Sequence, residues 1–224
     1  MSGGSLFKMP FTAIVAGPTG SGKTTWLIKL LTQADMLFTA QIDRLVYCYG
    51  KYLDSSFKIL KQKYNFLETY EGIPDLQFDK QLNNVIIFDD LINEISKNEQ
   101  ISDYFTKGSH HDNLSIFVLT QNLFFKSPII RTINLNAHYI IIFKNPRDSQ
   151  QIQYLGNQIY GSKSRILRDI YNLACDNVPH GYIMLDFKQT TPADFRIKTN
   201  ILHEPSIFLG DKLKPEEFII FKQI

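Results

Sequence analysis

Ala16-Gly17-Pro18-Thr19-Gly20-Ser21-Gly22-Lys23-Thr24-Thr25 is the stretch on which the reading of this chain turns, and from Gly17 to Thr24 it fits G-x-x-x-x-G-K-[ST]. Phosphate binding needs several consecutive backbone N–H groups turned inward, and Gly17, Gly20 and Gly22 permit the φ angles and close approach required. Pro18, Thr19, Ser21 and Thr25 complete the cradle. Lys23 is placed to reach the β- and γ-phosphates of ATP, and the Thr24 hydroxyl to ligate Mg²⁺. A helix opening near residue 23 aims the positive end of its dipole at the anion. Four fixed positions are a weak pattern alone, so the flanks decide. Phe11-Thr12-Ala13-Ile14-Val15-Ala16 has the apolar run of a buried parallel strand, and Leu27, Leu30, Leu31 and Ala34 recur at helical spacing after the loop. Strand, glycine-rich loop, helix is the order that a P-loop needs.

Val85-Ile86-Ile87-Phe88-Asp89-Asp90 carries the second signal: four apolar residues, then two carboxylates. A buried strand ending in acid brings an aspartate to the metal ion beside the P-loop threonine. Asp89 is therefore assigned to Mg²⁺, and Asp90 to the base that orients or deprotonates the attacking water. Ser115-Ile116-Phe117-Val118-Leu119-Thr120 is another apolar strand, followed by Gln121. Carboxyl ends of adjacent parallel strands line the ligand crevice, so Gln121 is expected beside Asp89 as a holder of water or a sensor of the γ-phosphate.

With 224 residues the chain suffices for one sizeable domain, and 24 basic against 22 acidic residues give no global field for nucleic acid. Any DNA contact has to be local. Cys48 and Cys175 lack C-x-x-C spacing and read as buried free thiols, which suggests a reducing compartment. The longest apolar runs, such as Tyr139 to Phe143, fall far short of the ~20 residues of a membrane helix. No membrane partner and no export are expected.

Further elements are a strand at Leu45 to Gly50, a helix at Ser55 to Tyr64, partial helix at Gln100 to Lys107, and a strand at His138 to Phe143. A helix starting at Pro146 or Arg147, another at Ser164 to Ala174, and a strand at Tyr182 to Phe187 follow. Phe195 to Ile201 alternates as a half-exposed edge strand does. Adjacent His110 and His111 offer poor metal-site geometry, since neighbours on a regular element point apart. The pattern predicts an α/β fold, a P-loop NTPase with a RecA/FtsK-like, mostly parallel sheet and helices on both faces. One strand is expected between the acidic strand and the P-loop strand. Boundaries are expected at a disordered leader 1–9, an ATPase domain 10–202 and a tail 203–224.

Gly17 to Thr25, Val85 to Asp90, Gly108-Ser109-His110-His111 with Leu119-Thr120-Gln121-Asn122, and Asn136-Ala137-His138-Tyr139 through Phe143-Lys144-Asn145-Pro146-Arg147-Asp148 together resemble the genome-packaging ATPases of poxvirus-like viruses and polinton or adintovirus-like elements. These belong to the FtsK/HerA superfamily of DNA-pumping motors. The resemblance spans residues 10 to 202 and implies a homo-oligomeric ring, pentamer or hexamer, that hydrolyses ATP with Mg²⁺ to drive double-stranded DNA into a capsid. It implies viral capsid components as partners and a viral assembly site, nuclear or in a cytoplasmic factory, or the virion itself as location. Carried across, Lys23 and Thr24 bind nucleotide and metal, Asp89 and Asp90 form the Walker B pair, and Gln121 is the polar sensor.

One departure concerns the arginine that related motors often place upstream of the sensor strand, since Lys107 to Asn113 contains none. Of the six arginines, Arg131 and Arg147 follow later strands, and Arg131 is preferred as the finger acting on a neighbouring subunit. Lys107, Lys126 and Arg131 are the loop cations proposed for DNA phosphates. A nucleoside or nucleotide kinase, which would need an arginine-rich lid, and a non-packaging translocase or helicase of the same superfamily remain as alternatives. A GTP switch would need N-K-x-D, which is absent, and an inactive scaffold would not need Lys23, Thr24, Asp89 and Asp90 intact.

Overall fold

The computed structural model describes residues 6–51, 54–109, 112–176, 178–202 and 219–220. Its framework is a nine-stranded sheet of order β3-β2-β4-β5-β1-β6-β7-β8-β9. The strands are β1 (Thr12–Ala16), β2 (Arg44–Tyr49), β3 (Glu68–Glu71), β4 (Asn84–Asp89), β5 (Leu114–Thr120), β6 (Tyr139–Phe143), β7 (Tyr182–Asp186), β8 (Ile197–Thr199) and β9 (Ile219–Ile220). From β3 through β6 every pairing is parallel, whereas β7, β8 and β9 add on antiparallel. The strand expected between the acidic strand and the P-loop strand is β5.

Parallel strands need both faces covered, and the buried residues divide accordingly into two clusters. Ala13 and Val15 of β1 face one side with Trp26, Leu27, Leu30 and Leu31 of α1 (Lys23–Thr32), joined by α2 (Ala34–Leu37) and by Phe57 and Leu60 of α3 (Asp54–Lys63). Ile14 and Ala16 face the other, against Ile95 of α4 (Ile92–Ile95), Ile101 of α5 (Glu99–Asp103) and Ile130 and Ile133 of α6 (Pro128–Leu135). Ile152 and Leu155 of α7 (Gln150–Tyr160) and Leu167 and Tyr171 of α8 (Arg165–Cys175) complete that side. Each buried leucine, isoleucine, valine or phenylalanine among them stabilises the fold by roughly 1.5–3 kcal/mol relative to exposure. The alternation along β1 thus sets the P-loop between two cores.

Several expectations are corrected. Residues 6–9 belong to the domain, not to a disordered leader: Phe7 is fully buried against Phe11, Phe38 and Tyr139, and its N–H donates to the Leu37 carbonyl at 2.8 Å. Residues 1–5 of that leader, and the tail apart from Ile219 and Ile220, lie outside the described residues, as do His110 and His111. The helix expected from Pro146 or Arg147 begins at Gln150, because Asn145 and Asp148 side chains accept from the N–H groups of Arg147 and Gln150, both at 3.1 Å, and hold the chain in turns. β8 is fully buried rather than a half-exposed edge. β9 covers its outer side, and Lys198 turns inward to meet Asp186 at 3.0 Å. β3 escaped the sequence reading, being short and polar; Arg44 fastens it by two bonds to Glu68, at 2.7 and 3.1 Å. Cys48 and Cys175 are free and buried, and burial pushes each thiol up to about 12.

Candidate nucleotide site

The carboxyl ends of β1, β4 and β5 deliver the three chemical segments to one edge. β1 ends at Ala16, and the chain then turns without room for side chains: a Cβ on Gly17 would lie 2.7 Å from Phe143 Cβ and 2.8 Å from Ser21 Oγ. Gly20 at φ 79° and Gly22 at φ 96° take left-handed backbone, which glycine adopts freely. Gly22 is the N-cap of α1 and has no side chain to offer. The first helical N–H groups therefore have no capping side chain, as an anion site requires.

Lys23 bends back over the loop and donates to the carbonyls of Gly17 at 2.7 Å and Pro18 at 3.1 Å. Burial lowers its pKa, while Asp89 and Asp90 pull it back up. Ser21 Oγ is buried without a hydrogen-bond partner, a donor left over for a ligand inside the cradle. The absent Cβ atoms and this orphaned hydroxyl fit a chain of phosphates.

Asp89 is 8% exposed, and its Oδ2 accepts from the Thr24 hydroxyl at 3.1 Å and from the Tyr47 hydroxyl at 2.7 Å. Burial raises its pKa; the Tyr47 and Thr24 hydroxyls and the Lys23 charge oppose that rise, and Asp90 adds to it. Hard cations take oxygen ligands, so Thr24 and Asp89 form a donor pair suited to Mg²⁺. Elsewhere among the described residues, no three His, Cys, Asp or Glu side chains gather as a metal site.

Asp90 stands one residue further, exposed, in left-handed backbone at φ 59°. Gly50, at the end of the neighbouring β2, makes this possible, since a Cβ there would lie 2.8 Å from the Asp90 carbonyl. Gln121 Nε2 donates to Asp90 Oδ1 at 3.3 Å. The expected neighbour of Gln121 was Asp89; register pairs Asp89 with Leu119 instead, and Gln121 reaches the next carboxylate along. Tyr47 and Gly50 went unnoticed in the sequence, because their importance arises only from β2 lying beside β4.

Arg131 is exposed on α6, a helix not anticipated, and Lys126 is exposed in the loop before it. Arg147 is also exposed, in the loop that leaves β6 on the P-loop edge. Lys107 falls in a π-helical turn, Tyr104–Gly108, and its side chain is outside the described residues.

Residues 2–186 match the family described as Poxvirus A32 protein, most of the chain. The chain belongs to the poxvirus A32 family. Among solved structures it is similar to the genome packaging NTPase B204 of Sulfolobus turreted icosahedral virus 2 in complex with ATPγS, at TM-score 0.54 and 14% identity over 84% of this chain and 96% of that one. The DNA-packaging ATPase B204 of Sulfolobus turreted icosahedral virus matches with the same TM-score, identity and coverage. At this identity the likeness establishes the fold. No curated protein sequence matches. Family and fold place this A32-family chain among the P-loop ATPases, as the resemblance in its motifs implied. None of its described helices is long and apolar enough to cross a membrane.

Proposed function

We propose that this A32-family chain is an ATP-hydrolysing motor that drives double-stranded DNA into a viral capsid, working as a homo-oligomeric ring at the site of virus assembly. The observation that carries the reading is the joining of Thr24 to Asp89 and of Gln121 to Asp90 at one sheet edge, beside an intact P-loop. A kinase needs a second substrate site and an arginine-rich lid. The exposed Asp90 carboxylate beside the cradle instead suits activation of water.

In this reading the N–H groups of Thr19, Gly20, Gly22, Lys23, Thr24 and Thr25 bind the phosphates; Pro18 has none to give, and those of Gly17 and Ser21 donate to the Thr120 and Pro18 carbonyls, each at 3.1 Å. Lys23 exchanges its two carbonyl partners for phosphate oxygens. Thr24 and Asp89 hold Mg²⁺, which neutralises phosphate charge when bound. Asp90 orients the attacking water, and the Gln121 amide holds Asp90 and senses whether that water and the γ-phosphate are in place. A motor needs contacts blind to sequence, and Lys107, Lys126 and Arg131 are proposed for DNA phosphates. Arg131 is also the proposed finger toward the neighbouring subunit, with Arg147 its competitor.

The test is steady-state ATP hydrolysis with and without long double-stranded DNA, with Lys23→Ala and Asp90→Asn as controls. Turnover that DNA stimulates, that both substitutions abolish, and that rises steeply with protein concentration is the expected result. Turnover indifferent to DNA but dependent on an added nucleoside or nucleotide would replace this reading with a kinase.

A further inference from the structure

The turn before β7 reaches the P-loop from 159 residues away: His180 Nδ1 lies 3.0 Å from the carbonyl oxygen of Ser21. A carbonyl can only accept, so Nδ1 carries the proton and donates. The ring lies over Gly22, where a Cβ would come within 3.1 Å of Nδ1 and 3.3 Å of Cγ. Gly22 therefore serves a second purpose beyond its φ angle, leaving space for an imidazole against the loop.

The turn that presents this ring is itself braced. The Lys144 N–H, just past the end of β6, donates to the Gly181 carbonyl at 2.9 Å, and the Gly181 N–H donates to Val178 at 3.1 Å. A Cβ on Gly181 would lie 2.7 Å from Cys175 Cα, so the turn sits hard against the end of α8. His180 adopts φ 56°, a left-handed conformation uncommon for a residue with a side chain. The strained backbone and exposed ring are held where the side chain meets the phosphate loop.

A trans peptide is planar, and its C=O and N–H point in opposite directions. A donor fastened to the Ser21 carbonyl thus fixes the Gly22 N–H on the opposite side of that peptide. It also polarises the same peptide and strengthens that N–H as a donor. We infer that His180 is a positioning residue of the nucleotide site, holding the Ser21–Gly22 peptide with its N–H turned toward the phosphates. This rests on the P-loop binding nucleotide, as proposed above. His180 acts on the phosphates through the loop and does not read the base.

The experiment measures binding of ATPγS and of inorganic triphosphate, each with Mg²⁺, to wild type, His180→Gly and His180→Asn, with a thermal melt of each. Glycine keeps the left-handed backbone and removes the donor; asparagine tolerates the backbone and restores a short N–H donor. We expect His180→Gly to weaken both ligands by about three- to tenfold, the worth of one hydrogen bond, with its melting temperature near wild type, and His180→Asn to recover most of the loss. Equal affinity of His180→Gly and wild type would overturn the inference. A loss confined to ATPγS would overturn it in favour of a base contact, and a loss that His180→Asn shares in full, or that follows the melting temperature, would reduce His180 to a structural role. Failure of wild type to bind either ligand would instead defeat the proposed function and this inference with it.

Discussion

Replacing Tyr47 by Phe removes one oxygen and leaves the ring, which is fully buried and packs edge-on against Phe57 at 5.1 Å. The lost group is the donor to Asp89 Oδ2 at 2.7 Å. Hydrogen bonds to charged groups contribute about 1.5–3 kcal/mol net. For a domain of this size each kcal/mol moves Tm by about 2–4 °C, so the variant should melt about 3–12 °C lower at pH 8. The deficit should shrink on acidification, because Asp89 takes up a proton through its raised pKa and the bond to a neutral carboxyl is weaker. The functional effect is larger. Partners behind a metal ligand commonly contribute about 10–100-fold in metal affinity. Losing Tyr47 also lets burial push the Asp89 pKa higher still, so protons compete with metal to higher pH. The assay is a Mg²⁺ titration of steady-state ATP hydrolysis between pH 6 and 9, alongside melts at both ends of that range. The half-saturating Mg²⁺ concentration should rise about tenfold or more, and its pH dependence should shift alkaline. A variant that melts lower but keeps the wild-type Mg²⁺ demand and pH profile would refute the argument that Tyr47 prepares Asp89 for metal.

Asp89→Asn should abolish Mg²⁺-dependent hydrolysis while raising Tm at alkaline pH. Burial raises the carboxyl's pKa in the fold, so the ionised form costs stability above that pKa and the cost vanishes below the unfolded value. Melts of both proteins should converge as pH falls, and an asparagine variant less stable than wild type at pH 8 would contradict the sign. Gly50→Ala drives a methyl group to within 2.8 Å of the Asp90 carbonyl. Asp90 must move away from its Gln121 contact, so kcat should fall by about ten- to a hundredfold, as displaced catalytic groups do. ATPγS affinity measured by titration should stay near wild type. Equal losses in both would mean that the shift spreads into the P-loop.

What was legible in the sequence was local. Glycines at 20 and 22 take left-handed backbone that glycine adopts freely, the glycine at 17 leaves the close approach a side chain would block, and the lysine and threonine after them announce phosphate and metal. The apolar run ending in Asp89 and Asp90 announces a buried strand that delivers acid, because period and chain termination of a run are properties of neighbouring residues. Even the place of β5 between β4 and β1 was within reach, from the order of the motifs. The partners of those groups were not. That Tyr47 rather than some other buried aromatic holds Asp89, that Gln121 meets Asp90 rather than Asp89, and that His180 rests on the P-loop all depend on strand order and register across separations of 42, 31 and 159 residues. Phe7 was lost to the leader for the same reason, since its value lies in Phe11, Phe38 and Tyr139 closing around it. Residue type and spacing state which atoms are available for chemistry. Only the packing of distant segments against one another decides which of them touch, because hydrogen bonds and buried contacts are made across space and carry no signature in the local chain.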